Sequence, residues 1–235
     1  MKATLLRGVI FDMDGVLVDS HAVHRTAWRR FFQTVGRDVS EFELEFILDG
    51  RKRRDILRHF LGNCADSELE EFGRRKDSIF QEMRLKASPV PGVVNLVREL
   101  HRNGTALAVA TSASRKRTVL TLRELGLIDC FPVIVAGEEV VLGKPDAAVY
   151  RLACTRLANE PASLLAVEDA VSGIQSAVSA GLQCIGVALH ETRETLTQAG
   201  AIHVVCDFES VSAQDLECIL ADNNSGKLGA AAAGG

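Results

Sequence analysis

The chain has 235 residues, with 27 Lys and Arg against 31 Asp and Glu, a net charge of −4. Apolar residues make up 47% and charged residues 25%, the proportions of an ordinary globular protein. That balance excludes the basic footprint of a nucleic-acid binder. No apolar run reaches the roughly 20 residues that span a bilayer, and Met1 to Arg7 is too short and too broken for the apolar core of a signal peptide. The six cysteines (Cys64, Cys130, Cys154, Cys184, Cys206 and Cys218) lie at least 12 positions apart, so there is no CxxC pair. Four of them sit in apolar surroundings and read as small core residues. A reducing cytoplasm is the expected compartment.

In chain order, Gly8-Val9-Ile10-Phe11 is a short apolar run that ends in acids and reads as a buried parallel strand. Similar runs follow at 106–110, 164–167 and 184–187, with shorter candidates at 133–136 and 202–205. Helical patterns lie between them at 93–102, 116–125, 147–157 and 171–180. Gly104, Gly126 and Gly181 mark helix ends. Strands alternating with helices imply right-handed βαβ units and a parallel sheet.

Residues 20–87 break the alternation. They read as helices at 21–35, 40–48, 51–61 and 66–84, a helical insertion after the first strand. Ser88-Pro89-Val90-Pro91-Gly92 reads as the hinge back to the sheet. The expected division is an α/β core over 1–18 and 88–222, a helical domain over 19–87, and a flexible tail over 223–235.

Asp12-Met13-Asp14-Gly15 follows the first strand. Ligands bind at the carboxyl ends of strands in open α/β sheets, and Gly15 allows a tight turn there. Adjacent carboxylates raise each other's cost unless something cationic sits with them. Asp19 or Ser20 suits the cap of the next helix.

Through Asp12-Met13-Asp14-Gly15 the sequence resembles the haloacid dehalogenase superfamily of phosphotransferases. Three further matches fall in order on the expected elements: Thr111-Ser112 after the second strand, Gly143-Lys144-Pro145 before a helix, and Glu168-Asp169 at a later strand end. The resemblance covers nearly the whole chain except the tail. It implies a Rossmann-like parallel-sheet core with a small helical cap domain inserted after the first strand.

It also implies roles. Asp12 is the nucleophile that forms an aspartyl-phosphate, and its ionised carboxylate needs no activating base. Asp14 serves as acid and then base, and its backbone carbonyl is a metal ligand. Thr111 and the backbone of Ser112 hold the transferring phosphoryl group beside Gly15. Lys144 neutralises charge between nucleophile and phosphoryl oxygens, and Pro145 suits a first helical turn. Asp12 and Asp169 are ligands of Mg²⁺ and Glu168 is a direct or outer one, carboxylate oxygens being suited to that ion. Each motif also has a plain structural reading: Ser112, Ser114 or Asp169 as helix caps, Lys144 as a solvated surface residue.

The insertion resembles the β-phosphoglucomutase branch. There Gly50 to Arg53 matches a Gly-x-x-Arg whose Arg53 grips a second phosphate, His24 and Trp28 match a His-x-x-x-Trp, and Lys76 falls in a matching Arg-Lys stretch. The cations Arg51 to Arg54 at a helix start oppose the helix dipole unless an anion binds. Trp28, with Phe31, Phe32 and Val35, also reads as core, and His24 as a polar residue at the domain seam. The stretch Ser112-Ala113-Ser114-Arg115-Lys116-Arg117 matches the branch's Ser-Ala-Ser-Lys-Asn-like segment only when shifted by one, and lacks the Asn.

The expected activity is Mg²⁺-dependent hydrolysis of a small phosphorylated metabolite, a sugar phosphate, by a monomer or weak homodimer with no nucleic-acid or membrane partner. Phosphomutase transfer is the alternative. Dehalogenation is disfavoured by Asp14, Lys144 and the Glu168–Asp169 pair. A non-catalytic sugar-phosphate-binding regulator would have lost the nucleophile or a metal acid, and neither is missing.

Overall fold

The computed structural model describes residues 5–83 and 87–232, with 224–232 as backbone only. Six strands form one parallel sheet: β1 (Gly8–Phe11), β4 (Ala106–Ala110), β5 (Val133–Val135), β6 (Leu164–Glu168), β7 (Gln183–Val187) and β8 (His203–Val205). Their order is β5-β4-β1-β6-β7-β8. The chain turns in opposite directions on either side of β1, which opens a crevice at the carboxyl ends of β4, β1 and β6.

The central strands are apolar on both faces because both are covered. Val9 and Phe11 belong to one cluster, and Ile10 to another. Leu165 and Val167 alternate with Leu164 and Ala166 in the same way. Helix α5 (Val93–Arg102) packs Leu96, Val97 and Leu100 on the first face. Helices α7 (Ala148–Leu157) and α8 (Val171–Ser179) pack Tyr150, Ala153, Ile174 and Ala177 on the second. Helix α6 (Arg115–Glu124) starts at Ser114, whose side chain accepts the N–H of Arg117.

The insertion consists of α1 (His21–Thr34), α2 (Glu41–Leu48), α3 (Arg53–Leu61) and α4 (Asp66–Met83), close to the four expected segments; residue 84 lies outside the described residues. It has its own core, in which Phe31, Phe32, Leu44, Leu57 and Phe60 pack together. Each such side chain contributes about 1.5–3 kcal/mol by burial. A capping box at Ser40 and Glu43 starts α2.

Several expectations change. Ser88–Pro89 is not a bare hinge but strand β3, paired antiparallel with β2 (Val18–Asp19). Two-residue strands are too short to show alternation. Helix α9 (Arg193–Ala199) was not expected from the pattern. Helix α10 spans Ala213–Ala232, through most of the segment read as a flexible tail; residues 233–235 lie outside the described residues. Pro145 lies in the turn before α7, after a cis peptide bond, and not in the helix's first turn.

Candidate active site

Asp12 leaves the end of β1, where its N–H donates to Val167 O at 3.0 Å, and its side chain is 8% exposed at the crevice floor. Lys144 Nζ donates to Asp12 Oδ1 at 2.6 Å and to Glu168 Oε1 at 2.5 Å. Tyr150 Oη donates to the same Glu168 oxygen at 2.6 Å. Burial pushes the Asp12 carboxyl well up, Lys144 opposes that, and the neighbouring acids add to it. Burial favours the neutral lysine, but Asp12 and Glu168 outweigh it and raise Lys144. The lysine is therefore a buried charged link between the two strand ends.

Oxygens of Asp12, Glu168 and Asp169 lie within 4.8 Å of one another. Three buried carboxylates with one lysine among them form an all-oxygen donor set that fits a hard divalent cation such as Mg²⁺. Two glycines leave the space this cluster needs. A Cβ at Gly15 would lie 1.8 Å from Asp169 Oδ2, and φ there is +78°. A Cβ at Gly173 would lie 2.1 Å from Glu168 Oε2. Asp169 does not cap α8; its Oδ2 meets His21 Nε2 at 2.9 Å. Burial lowers the His21 pKa, but Asp169 outweighs it and raises it.

Asp14 is held from three sides. Its Oδ1 accepts Ser20 Oγ at 2.5 Å and Arg117 Nη1 at 2.8 Å, and its Oδ2 accepts Arg117 Nη2. Burial raises this carboxyl, but Arg117 and His24 outweigh it and hold it well below the usual range. Ser20 stands at the start of α1 without capping it, because its hydroxyl is spent on Asp14. Asp19 does not cap either; it meets His190 Nε2 at 2.9 Å.

Thr111 is buried just past β4, with its Oγ1 accepting Ala113 N–H at 3.1 Å. The Ser112 side chain turns to the insertion and donates to Gly50 O at 2.6 Å. Across the crevice Asp49 Oδ1 accepts the N–H of Ser172 at 2.9 Å, and Ser172 Oγ donates to Asp49 O. The turn after α2 is thus tied to both sides of the crevice.

A cavity of about 860 Å³ lies between core and insertion. Asp12, Asp14, Thr111, Ser112 and Asp169 line it from the core; His24, Trp28, Arg53 and Lys76 line it from the insertion. Lys144 and Glu168 are buried behind Asp12, so the lysine is not the solvated surface residue of the plain reading. Trp28 is both core and wall: it stacks on Phe32 and presents its ring to Lys76 Nζ at 5.0 Å. Lys76 Nζ donates to His24 Nδ1 at 3.1 Å, which leaves the His24 proton on Nε2, 3.4 Å from Asp14 Oδ1. Burial and then Lys76 push His24 down to about 3, and burial pushes Lys76 down to about 7.

The four cations of the insertion are already partnered. Arg51 meets Asp49, Lys52 Nζ donates to Val140 O at 2.7 Å, Arg53 pairs with Asp77, and Arg54 pairs with Asp66. Local acids and a core carbonyl therefore offset the opposition to the helix dipole. Sequence reasoning missed Arg117, Tyr150, His21 and the Asp49–Ser172 contact. Only Arg117 left a trace, as a cation on the first turn of a helix that follows Thr111.

The chain matches the haloacid dehalogenase-like hydrolases over residues 6–181 and belongs to that family. Within it the chain is an enzyme of the phosphohydrolase or phosphomutase kind. It is 35% identical over 209 residues to the phosphorylated carbohydrates phosphatase of Thermotoga maritima, covering 85% of this chain and 94% of that one. It is 30% identical over 195 residues to the beta-phosphoglucomutase of Bacillus subtilis, covering 77% and 83%. A solved structure of CbbY from Rhodobacter sphaeroides, in complex with xylulose-(1,5)bisphosphate, superposes with a TM-score of 0.77 at 28% identity, over 88% of this chain and 96% of that one. Among the described residues, no helix is long and apolar enough to cross a membrane.

Proposed function

We propose that the protein is a Mg²⁺-dependent phosphatase of small phosphorylated sugars, acting through an aspartyl-phosphate on Asp12. The observation that carries this reading is the buried Asp12–Lys144–Glu168–Asp169 cluster at the end of an 860 Å³ cavity. The substrate class follows the relatives named for phosphorylated carbohydrates and phosphoglucose.

In this mechanism Asp12 Oδ attacks phosphorus, and the bond to the leaving oxygen breaks. Asp14, once released from Arg117 so that its carboxyl can take up a proton, passes that proton to the leaving oxygen, then takes one from the water that cleaves the acyl phosphate. Lys144 holds Asp12 in place and adds positive charge behind the nucleophile. Thr111 and the N–H of Ser112 steady the phosphoryl oxygens. Asp12, Asp169, the Asp14 carbonyl and Glu168 would hold Mg²⁺, which offsets repulsion between carboxylate and phosphate when bound. Glu168 has one oxygen occupied by Lys144 and Tyr150, so it serves the lysine as much as the metal.

Phosphomutase transfer is the second reading. It is favoured by the seam contacts at Ser112 and Ser172, because a closed insertion would exclude water. Incubation with Mg²⁺, β-glucose 1-phosphate and a trace of its bisphosphate separates the two. Rapid phosphate release marks the phosphatase, and glucose 6-phosphate without free phosphate marks the mutase. A panel of sugar phosphates that shows neither, with and without EDTA, would sink both readings.

A further inference from the structure

Three carboxylates form the cluster proposed to hold Mg²⁺, and they are not held alike. Lys144 ties down Asp12 and Glu168, and Tyr150 adds a second bond to Glu168. Neither is bonded to Asp169. Among the described residues, the only side chain that hydrogen-bonds the Asp169 carboxylate is His21, whose Nε2 meets Oδ2 at 2.9 Å. An ionised carboxylate only accepts, so Nε2 carries a proton and donates, whatever charge the ring has. The Asp169 side chain is 4% exposed and that of His21 15%, and a hydrogen bond away from water is the stronger for it. The last torsion of an aspartate is broad, so its rotamer alone does not fix the carboxylate plane. Here the His21 bond does.

His21 is itself braced. It opens α1, two residues past the stem strand β2. Its ring lies flat on that of His190, with centroids 4.1 Å apart and planes 7° from parallel. His190 stands in the core, between β7 and α9, and its Nε2 meets Asp19 Oδ1 at 2.9 Å. The contacts thus run Asp19–His190–His21–Asp169, from a partly exposed carboxylate on the stem to a buried one in the cluster. A stacked ring cannot swing without leaving its partner, so the stack sets the direction of the Nε2 bond. Gly15 closes the other side, since a Cβ there would lie 1.8 Å from the same Asp169 Oδ2.

We infer that His21 is a positioning residue of the divalent-cation site: it fixes the Asp169 carboxylate from outside the metal's ligand set, and His190 and Asp19 hold it in place. The inference rests on the proposed reading of Asp12, Glu168 and Asp169 as the Mg²⁺ acids. His21 belongs to the insertion and Asp169 to the core. The insertion therefore strengthens the hold on the cation although it supplies none of those three acids. Partners of this kind change metal affinity by about 10–100-fold.

Calorimetric titration of the full chain with Mg²⁺, without substrate, tests this apart from turnover. His21→Ala should weaken Mg²⁺ by about 10-fold or more. His21→Gln, whose side-chain amide offers an N–H at comparable reach, should recover most of the loss. His190→Ala should weaken Mg²⁺ by a smaller factor. Adding it to His21→Ala should weaken binding no further, because His190 acts only through His21. An affinity in His21→Ala close to that of wild type would overturn the inference and leave the metal reading intact. So would equal losses in His21→Ala and His21→Gln, or a full additional loss in the double variant. If His21→Ala does not fold, His190→Ala decides, and an unchanged affinity there overturns the brace. Mn²⁺ in place of Mg²⁺ should show no nitrogen coupling in its electron spin echo, and coupling that vanishes in His21→Ala would make His21 a direct ligand and overturn its outer place. Absence of Mg²⁺ binding to wild type at millimolar concentration would defeat the metal reading, and this inference with it.

Discussion

Asp49, the residue that ends α2 in the insertion, accepts the backbone N–H of Ser172 in the first turn of α8 in the core, at 2.9 Å. One part of the protein thus supplies the helix cap that the other lacks, since Ala170 at the start of α8 has no side chain to do so. A lost cap costs about 1 kcal/mol, which corresponds to roughly a fivefold change in an equilibrium. Asp49→Ala should lower kcat/KM about fivefold and reduce the melting temperature by a few degrees. Asp49→Asn keeps an acceptor and should stay within about twofold. Steady-state kinetics beside thermal melts decide this, and equal losses in the two variants would count against the cap.

Asp12→Asn keeps the shape of the site and removes the proposed nucleophile. Loss of a nucleophile lowers kcat by about 10⁴-fold or more. Acid-quenched samples of the wild type should carry a phosphoryl group on Asp12, and the variant should carry none. Turnover of an aryl phosphate that survives in Asp12→Asn would place the nucleophile elsewhere.

Gly173 faces the carboxylate of Glu168, with room for a hydrogen and not for a methyl group. Gly173→Ala should push Glu168 off Lys144 and out of the carboxylate cluster proposed to hold Mg²⁺. Disturbing such supporting contacts weakens a metal about 10–100-fold. Calorimetric titration with Mg²⁺ reads this directly, without reliance on turnover. An unchanged affinity would remove Glu168 from the metal's surroundings.

Glu139 ties α6, α7 and the end of β5 together. It accepts Arg115 and Arg156 at 2.7 Å each and the Ala136 N–H at 2.9 Å. Burial pushes its carboxyl up, but Arg156, the Ala136 N–H and Arg115 outweigh that and bring it down from 4.5 to about 2. A carboxyl depressed in the folded state stabilises fully above its unfolded value, and that stability is lost as pH falls through the folded one. The contribution is therefore complete above about pH 4.5 and gone below about pH 2. Melts of Glu139→Gln should run below wild type at pH 7 and converge with it near pH 2.

The parallel sheet was legible because its strands are continuous apolar runs between glycine-stopped helices, and the four helices of the insertion carried their own periodicity. Asp12, Lys144 and Asp169 were singled out because four motifs in order resemble one family's pattern, and each lies at a strand end or before a helix. Arg117 was not, because its partner Asp14 is 103 positions away and nothing local separates it from Arg115 and Lys116. Tyr150 lies within the helical pattern at 147–157 with no motif around it, and only the fold brings its hydroxyl to Glu168. The Asp49–Ser172 cap was hidden for the same reason: it joins segments 123 positions apart.

In the β2–β3 ribbon Val18 pairs with Pro89 and Asp19 with Ser88, so the chain leaves the core and returns to it at neighbouring points. The 68 residues between Ser20 and Ala87 hang from a two-stranded stem, and the sheet's hydrogen-bond ladder does not depend on what that stem carries. A different segment could be spliced onto Asp19 and Ser88 without altering the register of β1, β4 or β6. In such a layout the carboxylate cluster and the outer wall of the cavity are separable parts: the acids belong to the sheet, and the insertion that faces them is joined to it only in sequence at the stem.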